Sequence, residues 1–186
     1  MVARGEGAAA GMIRVCFHGA ESTGKSVLAE ALSRESGCPW VPEYGRAYAE
    51  EHGTDFTIAD LLAIAEGQDA AMRATCLGEP PLVLLDTDPL MTAAWAQMLF
   101  GNVPDTLLAY PKAEHYLLFR ADTPWREDGT RMFGTADARA QFAAVAEEML
   151  HRAKVPFTRV SGDWRQRGQA AREVITGLHA RQGDTS

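Results

Sequence analysis

Eight consecutive residues, Gly19-Ala20-Glu21-Ser22-Thr23-Gly24-Lys25-Ser26, constrain this chain more than any other stretch. They fit G-x-x-x-x-G-K-[ST], a phosphate-binding loop. Gly19 and Gly24 allow the backbone to turn so that successive N–H groups point into one concavity. That concavity opens a helix, where unpaired N–H groups and the helix dipole favour negative charge. Lys25 is placed to reach the outer phosphates, and the Ser26 hydroxyl to hold Mg²⁺. The expected nucleotide contacts are Gly19, Glu21, Ser22, Thr23, Gly24, Lys25, Ser26 and Val27.

The flanks match the motif. Ile13, Val15 and Phe17 alternate before it, as a strand requires, and Leu28, Ala31 and Leu32 share a helix face after it. A glycine-rich turn before an ordinary helix is the competing reading, and the order strand, loop, helix argues against it. Downstream, short apolar strands are expected at 39–41, 81–86, 115–120 and 156–161, separated by helical patterns. Strands alternating with helices imply parallel crossovers. The expected fold is therefore α/β: a parallel five-stranded sheet with helices on both faces. Residues 1–11 read as a flexible extension and 12–182 as one domain.

Composition limits the partners. The 186 residues carry a net charge of −7, which argues against a nucleic-acid surface. Cys16, Cys38 and Cys76 form no C-x-x-C pair and read as reduced thiols of a cytoplasmic protein. The five histidines show no metal spacing. No apolar run approaches the ~20 residues needed to cross a bilayer, so no membrane partner is expected. Oligomeric state is left open.

Several polar residues are candidates for chemistry. Asp86 ends the apolar strand Leu82-Val83-Leu84-Leu85 and suits a metal-holding role beside Ser26; capping the next helix is the alternative. Asp88 before Pro89 suits that cap better, although a substrate contact stays open for it. Glu43 follows the second strand, where a carboxylate can take a proton from an acceptor hydroxyl; a first-turn helix carboxylate is its plain reading. Arg46 lies one turn on and either pairs with Glu43 or meets substrate. Trp40 and Tyr44 flank this carboxylate and either stack on a planar ring or pack in the core. The polar stretch Asp122 to Arg131 suits a lid whose Arg126 and Arg131 close over a triphosphate, or a solvated loop.

Taken in order, GAESTGKS, PEYGRAY, LLDTD and TPWREDGTR resemble the ribosylnicotinamide kinase domain of the NadR family and related stand-alone P-loop ATPases. The resemblance spans roughly residues 13 to 180. It implies that 12–182 form a small-molecule kinase domain with the α/β P-loop kinase fold and a lid segment, and ATP- and Mg²⁺-dependent phosphorylation of the 5′-hydroxyl of nicotinamide riboside, giving the mononucleotide. It assigns catalysis to Lys25, Glu43, Asp86 and Arg131, and metal binding to Ser26 and Asp86. Trp40, Glu43, Tyr44, Arg46 and Asp88 become substrate residues. Arg126 falls where the family pattern is apolar. Gly162 to Arg167 resembles the adenine-holding loop and adds Trp164 and Arg167 to the nucleotide contacts. The H-x-G-H motif of the family's adenylyltransferase module is missing from this sequence, so mononucleotide rather than dinucleotide is the expected product. Another nucleoside or nucleotide acceptor, and an ATP-binding regulator without kinase activity, are the alternatives. The cationic pyridinium of nicotinamide riboside suits Trp40 and Tyr44 beside Glu43 better than a neutral purine would, since cation–ring contacts contribute ~0.5–2 kcal/mol.

Overall fold

The computed structural model describes residues 11–126 and 129–183. Residues 1–10 of the extension expected at 1–11, and Glu127 and Asp128 of the expected lid, lie outside the described residues. In chain order the elements are β1 (Ile13–Gly19), α1 (Lys25–Ser36), β2 (Trp40–Val41), α2 (Tyr44–His52), α3 (Ile58–Cys76), β3 (Leu82–Asp86), α4 (Pro89–Phe100), α5 (Asp105–Ala109), β4 (His115–Phe119), α6 (Ala136–Ala153), β5 (Phe157–Val160) and α7 (Trp164–Gly183).

The strands form one parallel sheet in the order β2-β3-β1-β4-β5. Phe17 of β1 pairs with Asp86 on one side and Leu117 on the other, so β1 is central. Because every strand runs the same way, the segments following all five emerge at one edge. Ligands bind at that edge in sheets of this kind, where the strand order reverses.

Side-chain alternation divides the core into two layers. Ile13, Val15, Phe17, Leu82, Leu84, Leu117 and Phe119 face α1 and α7. Cys16, Val83, Leu85, Tyr116 and Leu118 face α3, α4 and α6. A period of two along strands buried on both faces requires apolar residues at nearly every position, and all of β3 is buried. Leu84 is 0% exposed; truncating such a side chain to Ala costs about 2–5 kcal/mol. In α4 the positions Leu90, Met91, Ala93, Ala94 and Ala96 are all buried, as expected of a helix apolar all round.

Helix starts follow local chemistry. Thr57 and Asp60 form a reciprocal capping box on α3. Asp88 caps α4 by accepting the Leu90 N–H at 3.0 Å, with Pro89 at the first helical position. Helix α5 has no counterpart among the elements expected from the sequence; this short helix is anchored by Leu107, which is fully buried. Strand β2 is only two residues long, and Pro39 O extends its pairing by accepting Leu84 N–H at 3.1 Å. Among the described residues no helix is long and apolar enough to cross a membrane.

Candidate active site

The phosphate loop leaves β1 and enters α1 as its glycines require. Gly19 has φ 126°, and a Cβ there would lie 2.5 Å from Phe119 O on the neighbouring strand. Gly24 has φ 86° and precedes the first residue of α1. Both conformations disfavour a side chain. Thr23 Oγ1 donates to Ala20 O at 2.9 Å, and Lys25 Nζ donates to the same carbonyl at 2.7 Å. These bonds curl the lysine over its own loop, and burial lowers its basicity.

Three acidic side chains share the field of this lysine: Glu43, Asp86 and Glu21. Asp86 is 1% exposed, and its Oδ1 makes no hydrogen bond among the described residues. Burial raises its carboxyl, while the Ser26 hydroxyl, Lys25, Arg46 and the Glu43 backbone N–H hold it down. Glu43 precedes α2 and is raised from the ordinary 4.5 to about 7, first by burial and then by Asp86, against Lys25 and Arg46. Two carboxylates in one poorly hydrated site resist ionising together, so one of them stands near neutrality.

These groups border a cavity of ≈ 270 Å³. One end is the phosphate loop with Glu43, Arg46 and Arg131; the other is apolar, with Phe56, Leu61, Ile64, Met91, Trp95 and Phe142. Trp95 is the hub of the aromatic group. Its ring centroid lies 4.9 Å from Phe142, 5.1 Å from Phe133 in a stacked arrangement, and 6.4 Å edge-on from Phe56. Gln68, buried on α3, joins the two turns at the cavity floor. Its Oε1 accepts Tyr44 N–H at 2.7 Å, and its Nε2 donates to Pro42 O and Thr87 O, both at 3.4 Å. Thr87 holds φ 70° between β3 and α4, a strained conformation for a β-branched residue and one that gathers at functional sites.

The segment after β4 lies against the phosphate loop. Glu21 accepts the N–H groups of Met132 and Phe133, each at 3.2 Å. Thr123 Oγ1 donates to Ser22 O at 2.8 Å, and Arg126 N–H donates to Ser22 Oγ at 2.9 Å. Arg131 donates to Arg126 O. On the far side of the loop, Trp164 is half exposed and its ring edge lies 3.2 Å from where a Cβ on Gly24 would sit. Arg167 is 1% exposed and fully occupied: it pairs with Asp122 and donates to Gly162 O at 2.7 Å, Thr23 O at 3.3 Å and Arg120 O at 3.2 Å.

The expected site residues therefore fall into three groups. Gly19, Glu21, Ser22, Thr23, Gly24, Lys25, Ser26, Val27, Glu43, Arg46 and Arg131 line the cavity, with Asp86 in the field of Lys25 and Glu43. Arg126 and Trp164 border the loop from outside. Trp40, Tyr44, Asp88 and Arg167 do not line the cavity. Trp40 packs with the core layer facing α1 and α7. Tyr44 is 40% exposed and lies over Gly67 of α3. Asp88 is buried beneath the sheet edge, where it accepts the Tyr116 hydroxyl and lies near Cys16 and His18. Burial lowers His18 to about 3, so that imidazole is neutral; its Nε2 bonds Ala146 O at 2.9 Å. Sequence reasoning missed Gln68, Thr87, Phe56, Trp95 and Phe142. The one available signal was the large aromatic Trp95 set among the small residues Ala93, Ala94 and Ala96 of α4.

A family model described as an AAA domain matches residues 14–167. The trifunctional NAD biosynthesis/regulator protein NadR of Escherichia coli (strain K12) is 28% identical over 153 residues, covering 78% of this chain and 37% of that protein. The chain thus spans well under half the length of this curated relative. Among solved structures, NadR in complex with NR superposes with a TM-score of 0.71 at 19% identity, covering 92% of this chain and 52% of that one. A deoxyadenosine kinase from M. mycoides superposes with a TM-score of 0.65 at 11% identity, covering 89% of this chain and 100% of that one. The likeness to both structures lies in the fold: a five-stranded parallel sheet with the phosphate loop after its central strand, as in P-loop nucleoside and nucleotide kinases. With the family model covering most of its length, this chain belongs to the AAA domain family.

Proposed function

We propose that residues 12–182 form an ATP-dependent kinase that phosphorylates the 5′-hydroxyl of nicotinamide riboside to give nicotinamide mononucleotide. The observation that carries this reading is Glu43, a carboxyl raised to about 7 between the phosphate loop and an aromatic-lined cavity. A group of that kind is suited to general-base work near neutral pH.

In this reading the triphosphate lies along the N–H groups of Gly19 to Ser26, with Lys25 and Arg131 donating to its outer oxygens. The Glu43 carboxylate takes the hydroxyl proton as that oxygen bonds to the γ-phosphorus and the bond to the departing ADP oxygen breaks. Lys25 and Arg131 offset the charge on the phosphoryl group in transit. Ser26 and Asp86 offer hard oxygen ligands, and the unpartnered Asp86 Oδ1 is the kind of atom a cation satisfies, so this pair fits Mg²⁺. When bound, the ion would supply further charge compensation at the β- and γ-phosphates. Trp164, exposed beside Gly24, offers a face for adenine.

The acceptor class follows from the apolar end of the cavity. A flat cationic ring is attracted to aromatic faces, and Trp95 with Phe56 and Phe142 supplies them. The relatives named NAD biosynthesis proteins, and the superposable structure holding NR, support the same acceptor. ADP release measured with nicotinamide riboside against a panel of purine and pyrimidine nucleosides tests this. Turnover confined to another nucleoside would remove the acceptor and keep the kinase. ATP binding without turnover on any acceptor would favour a nucleotide-dependent regulator.

A further inference from the structure

Arg139, in the first turns of α6, is a charged side chain only 9% exposed. Of its guanidinium donors, one terminal nitrogen donates to Thr123 O at 2.8 Å. Nε and the other terminal nitrogen have no hydrogen-bond partner among the described residues. Burial lowers its basicity, and the nearby Arg131 lowers it further. A buried cation with two unpaired donors is costly, and folded proteins keep such groups where surrounding structure over-determines them.

The rest of its surroundings explain where it points. The guanidinium carbon sits 5.5 Å from the centre of the Trp125 ring, and that of Arg131 sits 6.0 Å from the same ring. The indole Nε1 comes within 3.3 Å of the position a Cβ on Gly134 would take, so the absence of a side chain there lets the ring seat. Trp125 is thus held by two guanidinium groups and the backbone at Gly134. Arg131 lines the cavity and Arg139 does not. Through Thr123, whose hydroxyl donates to Ser22 O at 2.8 Å, Arg139 also connects to the phosphate loop.

We propose that Arg139 is a positioning residue: by holding Trp125 and the Thr123 carbonyl against α6, it sets the direction from which Arg131 reaches the transferred phosphoryl group. The proposal rests on the kinase reading above. Arg139 is not among the residues lining the cavity, so its role in this proposal is indirect. Its effect passes through the indole face, where a cation is attracted by the ring's charge distribution.

The test is a double-mutant cycle on the full chain with R139M, W125L and the pair, plus R139K, reading both ADP release and the equilibrium affinity for ATP. R139M is expected to lower kcat about 2- to 30-fold, the range a cation–ring contact spans, with the KM of the acceptor unchanged. R139K, which keeps a cation over the ring, is expected to recover most of the loss. In the W125L background R139M is expected to have little further effect. Additive losses in the double variant would overturn the proposal, as would an R139M protein altered only in thermal stability. If no nucleoside is phosphorylated by the unaltered chain, the kinase reading fails. The ATP-affinity cycle then decides the Arg139–Trp125 coupling by the same additivity criterion. Should R139M not fold, R139Q, which also removes the cation from the ring, supplies the cycle with W125L.

Discussion

The Gln68 side-chain oxygen accepts the Tyr44 backbone N–H at 2.7 Å, and through that bond α3 sets the height of Glu43 at the cavity floor. Gln68 also donates to Thr87 O at the end of β3, so one buried amide holds the Glu43 turn and the Asp86 turn at a common level. Replacing Gln68 by Leu removes these bonds at nearly the same volume. It leaves buried backbone groups unpaired, at about 1–3 kcal/mol. Steady-state kinetics are expected to give a kcat lower by about tenfold or more, since a misplaced base costs rate, with ATP affinity nearly unchanged. Equal losses in ATP affinity and kcat would instead make Gln68 a general structural support.

Glu43 itself gives two linked expectations. With its carboxyl at about 7, kcat/KM is expected to fall as pH drops below 7, because the protonated form cannot accept the hydroxyl proton. The E43Q variant is expected to lose about 10²–10⁴-fold in kcat while retaining ATP. The stability effect has the opposite sense. A carboxyl whose folded value is raised favours the folded state while protonated, and that contribution is lost as pH rises through about 7. Glutamine stays neutral, so E43Q is expected to melt higher than the parent at pH 8 and close to it below pH 4.5, the group's ordinary value. Melting curves at both pH values, with and without ATP, check the sign.

Trp95 tests the acceptor end of the cavity. Replacing it with Leu keeps an apolar wall and removes the ring that Phe56, Phe133 and Phe142 surround. For a cationic acceptor the KM is expected to rise about 2- to 30-fold, from the loss of a cation–ring contact. For ATP it is expected to stay within about twofold, as rate effects of distant, independent groups do not spread. A neutral nucleoside affected as strongly as nicotinamide riboside would point to shape rather than charge.

Arg167 was expected at the adenine, yet its donors are taken up by Asp122, Gly162, Thr23 and Arg120. R167M is therefore expected to destabilise the fold by about 1–3 kcal/mol for each acceptor left unpaired, because Gly162 O, Thr23 O and Arg120 O lose their donor. D122N is expected to cost less, since Asp122 is partly solvated. Chemical denaturation of both variants settles the order. The reverse ranking would show that the carboxylate, not the guanidinium, holds the turn.

The parts of the site legible in the sequence are those made by neighbours along the chain. The turn from Gly19 to Ser26, the carboxylate closing Leu82–Asp86, and the Asp88–Pro89 helix start each depend on a handful of consecutive residues. Their conformational preferences act locally. The alternation of Ile13, Val15 and Phe17 likewise announced a strand, and parallel crossovers followed from the alternation of strands with helices. Trp40 shows the limit: adjacent residues in a strand point to opposite faces, so its closeness to Glu43 in sequence put it on the wrong side of the sheet for the cavity.

What the sequence by itself determined is a phosphate-binding loop in a parallel α/β sheet, with carboxylates at the edge where ligands bind. What only the tertiary structure decided is which rings line the cavity and which carboxyls burial raises. Phe56, Trp95 and Phe142 come from three separate segments, and nothing in their spacing marks them as one surface. The raised carboxyl of Glu43 arises from burial and from Asp86, a residue of another strand. Both properties depend on distances through space and on the exclusion of water, which exist only once α3, α4 and α6 have packed onto the sheet.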